Sequence, residues 1–108
     1  MSNIAHRVTP VECKILKSLQ QKSPANVVDI TVNIYGENNR TNYAYVHKSL
    51  GRLQKKGYVE KDSSNRPQLY SPRVSYNEVI IQELTDLAGK YCNGSMEELV
   101  GVLTEEAD

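Results

Sequence analysis

Tyr45, His47, Lys48, Arg52 and Lys55 crowd into the stretch NYAYVHKSLGRLQKKGY, which runs from Asn42 to Tyr58. Such a set offers hydrogen bonds and positive charge, the chemistry of recognising a polyanion. Interleaved with it, Val46, Leu50 and Leu53 recur at the spacing of one helix face, which predicts that this face is buried. The polar residues fall away from that seam. Asn42, or Thr41 before it, can cap the first turn, because its side-chain oxygen accepts from N–H groups that a helix leaves free. Gly57 stands where a left-handed residue normally ends a helix. The product is a short helix with an apolar keel and a cationic outer face. A DNA major groove admits one such helix and displays donors and acceptors on its floor.

The elements around this helix are marked by their ends. Thr9-Pro10-Val11-Glu12 joins a cap residue, a proline at the first helical position and a glutamate three after the cap. Val11, Ile15, Leu16 and Leu19 make the expected buried stripe, and Ser23-Pro24 closes the element. VVDITVNIY, from Val27 to Tyr35, is rich in β-branched residues and by propensity alone reads as a strand. Asn26 as a cap, Ile30 and Ile34 four apart, and Gly36 as a stop predict a helix instead. A loop over residues 37–41 then leads into the cationic helix. Beyond Gly57, residues 58–61 read as a strand, 62–67 as a turn and 68–71 as the returning strand. Three helices followed by a two-stranded hairpin is the order of a winged helix-turn-helix, with Arg66 as a cationic tip on the wing.

Two further helices open with Ser75-Tyr76-Asn77-Glu78 and Ser95-Met96-Glu97-Glu98, separated by the turn Asn93-Gly94. Ile80, Leu84, Leu87 and Tyr91 form a stripe on the first, widened by Val79, Ile81 and Ala88, and Met96, Leu99, Val100 and Leu103 form one on the second. A helical hairpin this small cannot bury both stripes against itself, so a second copy of the chain is the economical cover. The expected organisation is a flexible arm over residues 1–8, a winged helix over 9–74 and a dimerisation region over 75–108. The fold class is mainly α with a small β-hairpin wing.

A chain of 108 residues is long enough for one core and too short for two ordinary domains. Its net charge of zero hides an asymmetry. Arg40, Lys48, Arg52, Lys55, Lys56, Lys61, Arg66 and Arg73 face only Glu60 and Asp62 in the middle, whereas Lys90 alone faces eight acids from residue 74 onward. A basic middle and an acidic end suggest one surface for a polyanion and another that avoids it. No apolar run approaches a membrane span and no signal-peptide core opens the chain, so the cytoplasm is the expected compartment. Cys13 and Cys92 belong to no ligand or redox pattern, and His6 and His47 are too isolated to nominate a metal site. No Gly-rich phosphate loop, nucleophile elbow or apolar carboxylate pair appears, so neither an enzyme nor a cofactor is expected.

Three features taken together resemble the penicillinase-repressor family of winged-helix transcriptional repressors. They are Leu50-Gly51-Arg52-Leu53-Gln54-Lys55-Lys56-Gly57, the wing ending Tyr70-Ser71-Pro72, and Asn93-Gly94-Ser95-Met96-Glu97-Glu98-Leu99-Val100. The resemblance spans roughly residues 9–106 and implies a homodimer on a palindromic DNA operator. It places the base-facing positions on Ala44, Tyr45 and Lys48, where the family commonly carries Lys-Thr and a further Thr, so a different operator is implied. A tryptophan usual late in the first helix is replaced by Gln20 or Gln21. The cysteine pairs of the family's copper-responsive branch are absent. Val102-Leu103 stands where the antibiotic-resistance repressors are cleaved at an Asn-Phe bond.

The expected DNA contacts are accordingly Arg40, Thr41, Asn42, Tyr43, Ala44, Tyr45, His47, Lys48, Arg52, Lys55 and Arg66. Lys48 and His47 suit bases or phosphates, and Thr41 and Asn42 suit a phosphate at the helix N-terminus. Arg52 has a structural alternative, an ion pair with an acid such as Asp29 or Glu60. A different class of function, a winged helix used as a protein-interaction module with Tyr43 and Tyr45 as anchors, is disfavoured by the basic middle segment.

Overall fold

The computed structural model describes residues 8–107, the last two by their backbone alone. All but one residue of the arm expected over residues 1–8 therefore lies outside the described residues. Five helices and a two-stranded antiparallel hairpin follow one another, and the chain divides into two compact units, the first reaching to Tyr76 and the second starting at Asn77.

Helix α1, Pro10–Gln21, opens with a closed capping box. The Glu12 N–H donates to Thr9 Oγ1 at 3.2 Å, and the Thr9 N–H donates to Glu12 Oε1 at 3.0 Å. Ile15, Leu16 and Leu19 are buried, as their spacing requires, while Val11 is only half-buried. Helix α2, Val27–Tyr35, settles the ambiguous segment as a helix. Asn26 Oδ1 accepts from the Asp29 N–H at 2.8 Å, and Gly36 closes the element at a φ of +78°. Local caps override β-propensity here because the free N–H groups of a first turn need acceptors whatever the side chains prefer. Ile30 faces the core beside Thr31, whose hydroxyl donates to the Val27 carbonyl at 2.7 Å.

Helix α3, Arg40–Lys55, starts earlier than expected. Its cap is Asn39, not Thr41 or Asn42, and Asn39 Oδ1 accepts from the Asn42 N–H at 2.8 Å. The Asn42 side chain donates to the Glu37 carbonyl at 3.1 Å, which tightens the loop into residues 37–39. Val46, Leu50 and Leu53 are fully buried, and Ser49 joins them on the inner face. The three helices pack pairwise, α1 on α2 and α3, and α2 on α3.

The wing strands are β1, Val59–Asp62, and β2, Leu69–Pro72, each displaced one residue from the expected span. They run antiparallel with Val59 opposite Pro72 and Asp62 opposite Leu69. Tyr58 stands before β1 in the core rather than in the strand, since its N–H donates to the Leu53 carbonyl at 2.9 Å and its ring is buried. Ala25, between α1 and α2, exchanges both backbone hydrogen bonds with Tyr70 at 3.0 and 2.8 Å. That single residue acts as a third strand and ties the helices to the wing.

In the second unit, helix α4, Tyr76–Tyr91, and helix α5, Met96–Ala107, meet at a turn where Asn93 and Gly94 both have positive φ. Ser95 Oγ accepts from the Glu98 N–H at 3.0 Å and so caps α5. Ala88, Cys92 and Leu99 form a small core with Leu84 packed on it. Most of the remaining stripe is uncovered, with Ile81 59%, Tyr91 69%, Val100 54% and Leu103 60% exposed.

Two glycines of the first unit differ in what holds them. Gly51 lies inside α3 with helical backbone, and an added Cβ would meet nothing. Gly57 ends the helical segment at a φ of +81°. Gly51→Ala should raise the unfolding free energy by about 0.5–1 kcal/mol, because glycine loses more conformational freedom in a helix than alanine. Gly57→Ala should lower it by about 1–2 kcal/mol, the cost of a left-handed L-residue. Urea denaturation of both variants beside the wild type reads the two signs.

Candidate nucleic-acid interface

Helical geometry turns successive residues by roughly 100°. With Val46, Ser49, Leu50 and Leu53 inward, the side of α3 opposite the core carries Thr41, Ala44, Lys48, Gly51 and Lys55, all exposed. Tyr45, Arg52 and Lys56 flank this stripe on one side. Arg40, Tyr43 and His47 flank it on the other. The Tyr43 and His47 rings stack with their centroids 6.0 Å apart and their planes 8° from parallel. Stacking across one turn orders two exposed side chains that would otherwise sample several rotamers. The one-turn spacing of Tyr43 and His47 carries this signal in the sequence, but only the folded helix shows the parallel rings.

Among the described residues, Arg40, Lys48 and Lys55 make no ion pair or hydrogen bond through their charged groups. Thr41 lies in the first turn of α3, where the helix leaves N–H groups free. Asn42 is engaged by the loop rather than capping α3. It is half-buried, and its N–H and side-chain amide are both engaged by the loop, by Asn39 and the Glu37 carbonyl.

Arg52 pairs neither with Asp29 nor with Glu60. Its Nε donates to Glu12 Oε2 at 3.1 Å and a terminal nitrogen donates to Ser49 Oγ at 3.1 Å. Glu60 instead lies 3.8 Å from Arg73, an exposed contact of little energetic weight. Lys56 Nζ reaches the same glutamate, 2.7 Å from Oε1. Glu12 is thus wholly buried with both oxygens occupied, and it serves the Thr9 cap as well. Sequence reasoning assigned Glu12 to the cap alone, because an ion partner forty positions away leaves no local trace. Burial pushes the Glu12 carboxyl upward, yet the bonds from Lys56, the Thr9 N–H and Arg52 outweigh it and hold its pKa below the ordinary value.

On the wing, Asp62 organises the turn. It accepts from the Ser64 N–H at 3.0 Å, from the Ser64 hydroxyl, and from the Asn65 amide at 3.0 Å. Bonds from Ser64, with a weaker one from Asn65, lower the Asp62 pKa against the small opposing effect of burial. Arg66 is exposed beyond this turn, its guanidinium donating to the Ser63 and Asn65 carbonyls at 3.2 and 3.4 Å. The strand β1 packs on α3, so wing and outward helix belong to one unit.

Among the described residues there is no group of three His, Cys, Asp or Glu that could hold a metal ion. No described helix is long and apolar enough to cross a membrane. The penicillinase repressor family model matches residues 8–108, nearly the whole chain. No curated protein matches the chain significantly.

The buried carboxylate generates a pH dependence. A carboxyl with a lowered folded-state pKa stabilises the fold above its unfolded pKa, and that contribution is lost as pH falls through the folded value. Glu12→Gln is expected to cost about 1–3 kcal/mol at pH 7, the range for hydrogen bonds to charged groups and for a buried group left short of a partner. The gap from wild type should close as pH falls below the ordinary carboxylate range and through the lowered folded-state value, where wild-type Glu12 takes up its proton. Urea midpoints at a series of pH values test this, and a gap independent of pH would show that the charge is not the cause.

Proposed function

The chain belongs to the penicillinase repressor family, a family of transcriptional regulators and not of enzymes; from that premise we propose that it represses transcription by binding a palindromic double-stranded DNA operator as a homodimer in the cytoplasm. The observation that carries the DNA reading is the outward stripe of α3. Lys48 and Lys55 stand there uncommitted, one on each side of Gly51, on the face opposite the core. A helix so presented fits the major groove, with Lys48, Tyr45 and His47 toward base edges and Lys55, Arg40 and Arg66 toward phosphates. The Tyr43–His47 stack supports this arrangement by fixing His47 along the flank of the stripe. Winged-helix protein-interaction modules have less use for three uncommitted cations along one helix.

The homodimer reading is supported by the second unit. Ile80, Ile81, Leu87 and Tyr91 on α4 and Met96, Val100 and Leu103 on α5 are exposed apolar groups. Burying one such side chain is worth roughly 1.5–3 kcal/mol. Several from each of two chains offset the cost of association, which spans ~4–15 kcal/mol in different estimates. Leu84 and Leu99 contribute differently, since they pack within the hairpin of one chain. A two-fold pair then reads half-sites separated by ~10 bp or a multiple, and the second contact becomes intramolecular.

With about six to ten phosphate contacts per dimer, affinity should fall by roughly 10³–10⁵ between 50 and 200 mM salt. Lys48→Ala should cost about 1–3 kcal/mol on the best site and far less on random DNA. Arg66→Ala should weaken both about equally. Operator titration after selection of bound fragments from random DNA measures all three, and a Lys48→Ala protein with unchanged preference and affinity would refute the assignment of that face. Separately, Ile81→Lys with Leu103→Lys should yield a folded monomer that has lost its palindrome preference. Sedimentation at micromolar concentration decides this, and a monomeric wild type that holds full operator tightly would sink the dimer.

A further inference from the structure

The cations of α3 fall into two groups. Arg40, Lys48 and Lys55 are exposed and uncommitted, whereas Arg52 and Lys56, one turn apart on the flank, converge on the single carboxylate of Glu12. Glu12 is held rigidly for this, because its Oε1 also accepts from the Thr9 N–H at 3.0 Å. The guanidinium is fixed further by Ser49. Left alone, two long cations beside a groove-facing stripe would swing to the nearest phosphates, since an arginine 45% exposed has room to turn outward. Contacts of that kind strengthen binding to every duplex alike and carry no sequence information.

We propose that Glu12 is a positioning residue for specificity, which withholds Arg52 and Lys56 from DNA phosphates and so keeps binding to unrelated sequences weak. The inference rests on the duplex-binding reading above and adds to it a device on a helix that need not touch DNA. Discrimination is a ratio of specific to non-specific affinity, and the non-specific part is almost wholly electrostatic. Removing two cations from that part raises the ratio without any new base contact. The outward stripe can then carry the sequence-dependent contacts with less competition.

The test is salt-dependent binding of the full chain to its selected operator and to a scrambled duplex of equal length. Glu12→Gln keeps an oxygen for the Thr9 N–H but no longer holds two cations. It should steepen the slope of log affinity against log salt on the scrambled duplex by about one to two per protomer, raise that affinity several-fold and shrink the specificity ratio. Lys56→Gln should leave the slope of the wild type unchanged, because Lys56 is already engaged within the protein. A Glu12 that merely stabilised the fold would, once replaced, weaken binding to both duplexes with no steeper slope, and that result overturns the proposal. So does a Lys56→Gln slope shallower by about one, which would mark Lys56 as a phosphate contact; this variant decides the matter even if Glu12→Gln does not fold. A wild type that binds neither duplex at any salt overturns the underlying reading, whereas a specific wild type with an unresponsive Glu12→Gln overturns this inference alone.

Discussion

A carboxylate removed from water stays ionised only where other groups replace its hydration, and at Glu12 three donors from two places do so. The Thr9 N–H comes from the start of α1, and Arg52 and Lys56 come from the far end of α3, with Ser49 steadying the arginine. Desolvating such a charge costs several kcal/mol, and the bonds it makes roughly return that cost. The network therefore adds less to net stability than to uniqueness of the arrangement. Only one rotation of α3 about its own axis brings Arg52 and Lys56 to the same carboxylate. The same rotation turns Lys48 and Lys55 outward.

Apolar packing supplies the cohesion that the ion network does not. Ile15, Leu16 and Leu19 of α1, Ile30 of α2, and Val46, Leu50 and Leu53 of α3 are buried together with Tyr58 and Tyr70. Each contributes roughly 1.5–3 kcal/mol by leaving water, but such contacts are non-directional and tolerate small rotations. Direction comes from polar bonds at the edges. Asn33 donates to Ser18 at 2.6 Å between α2 and α1, and Ala25 pairs with Tyr70 between the helices and the wing. The buried Tyr70 hydroxyl has its pKa raised, first by burial and then by Tyr43, so the ring stays neutral in this core.

The second unit follows a different balance. Its internal core is only Ala88, Cys92 and Leu99 with Leu84 against them, too little to account for the apolar residues along both helices. Burial raises the Cys92 pKa, with Glu98 adding to it, and the side chain fills space in this small core. Cys13 is half-buried on α1 and is in no disulfide. The acidic charge and the exposed apolar faces lie in the second unit, whereas the cationic helix lies in the first.

Much of the fold was legible in the chain because its signals are local. A cap and its N–H partner lie within three residues, a buried stripe repeats within one turn, and a left-handed stop is a single glycine. Thr9, Asn26, Ser95, Gly36 and Gly57 accordingly mark the ends of helices as their residue types imply, and Val46, Leu50 and Leu53 give the inner face of α3. Where two local solutions compete, sequence alone does not choose, and so Asn39 rather than Thr41 or Asn42 begins α3. Long-range pairings were beyond it altogether. Glu12 with Arg52 and Lys56, and Ala25 with Tyr70, join residues about forty positions apart. Their meeting depends on the packing of whole helices, and no periodicity along the chain records which distant charge a buried carboxylate will find. The cationic outer face was therefore written in the sequence, and tertiary structure decided which of its cations are left uncommitted.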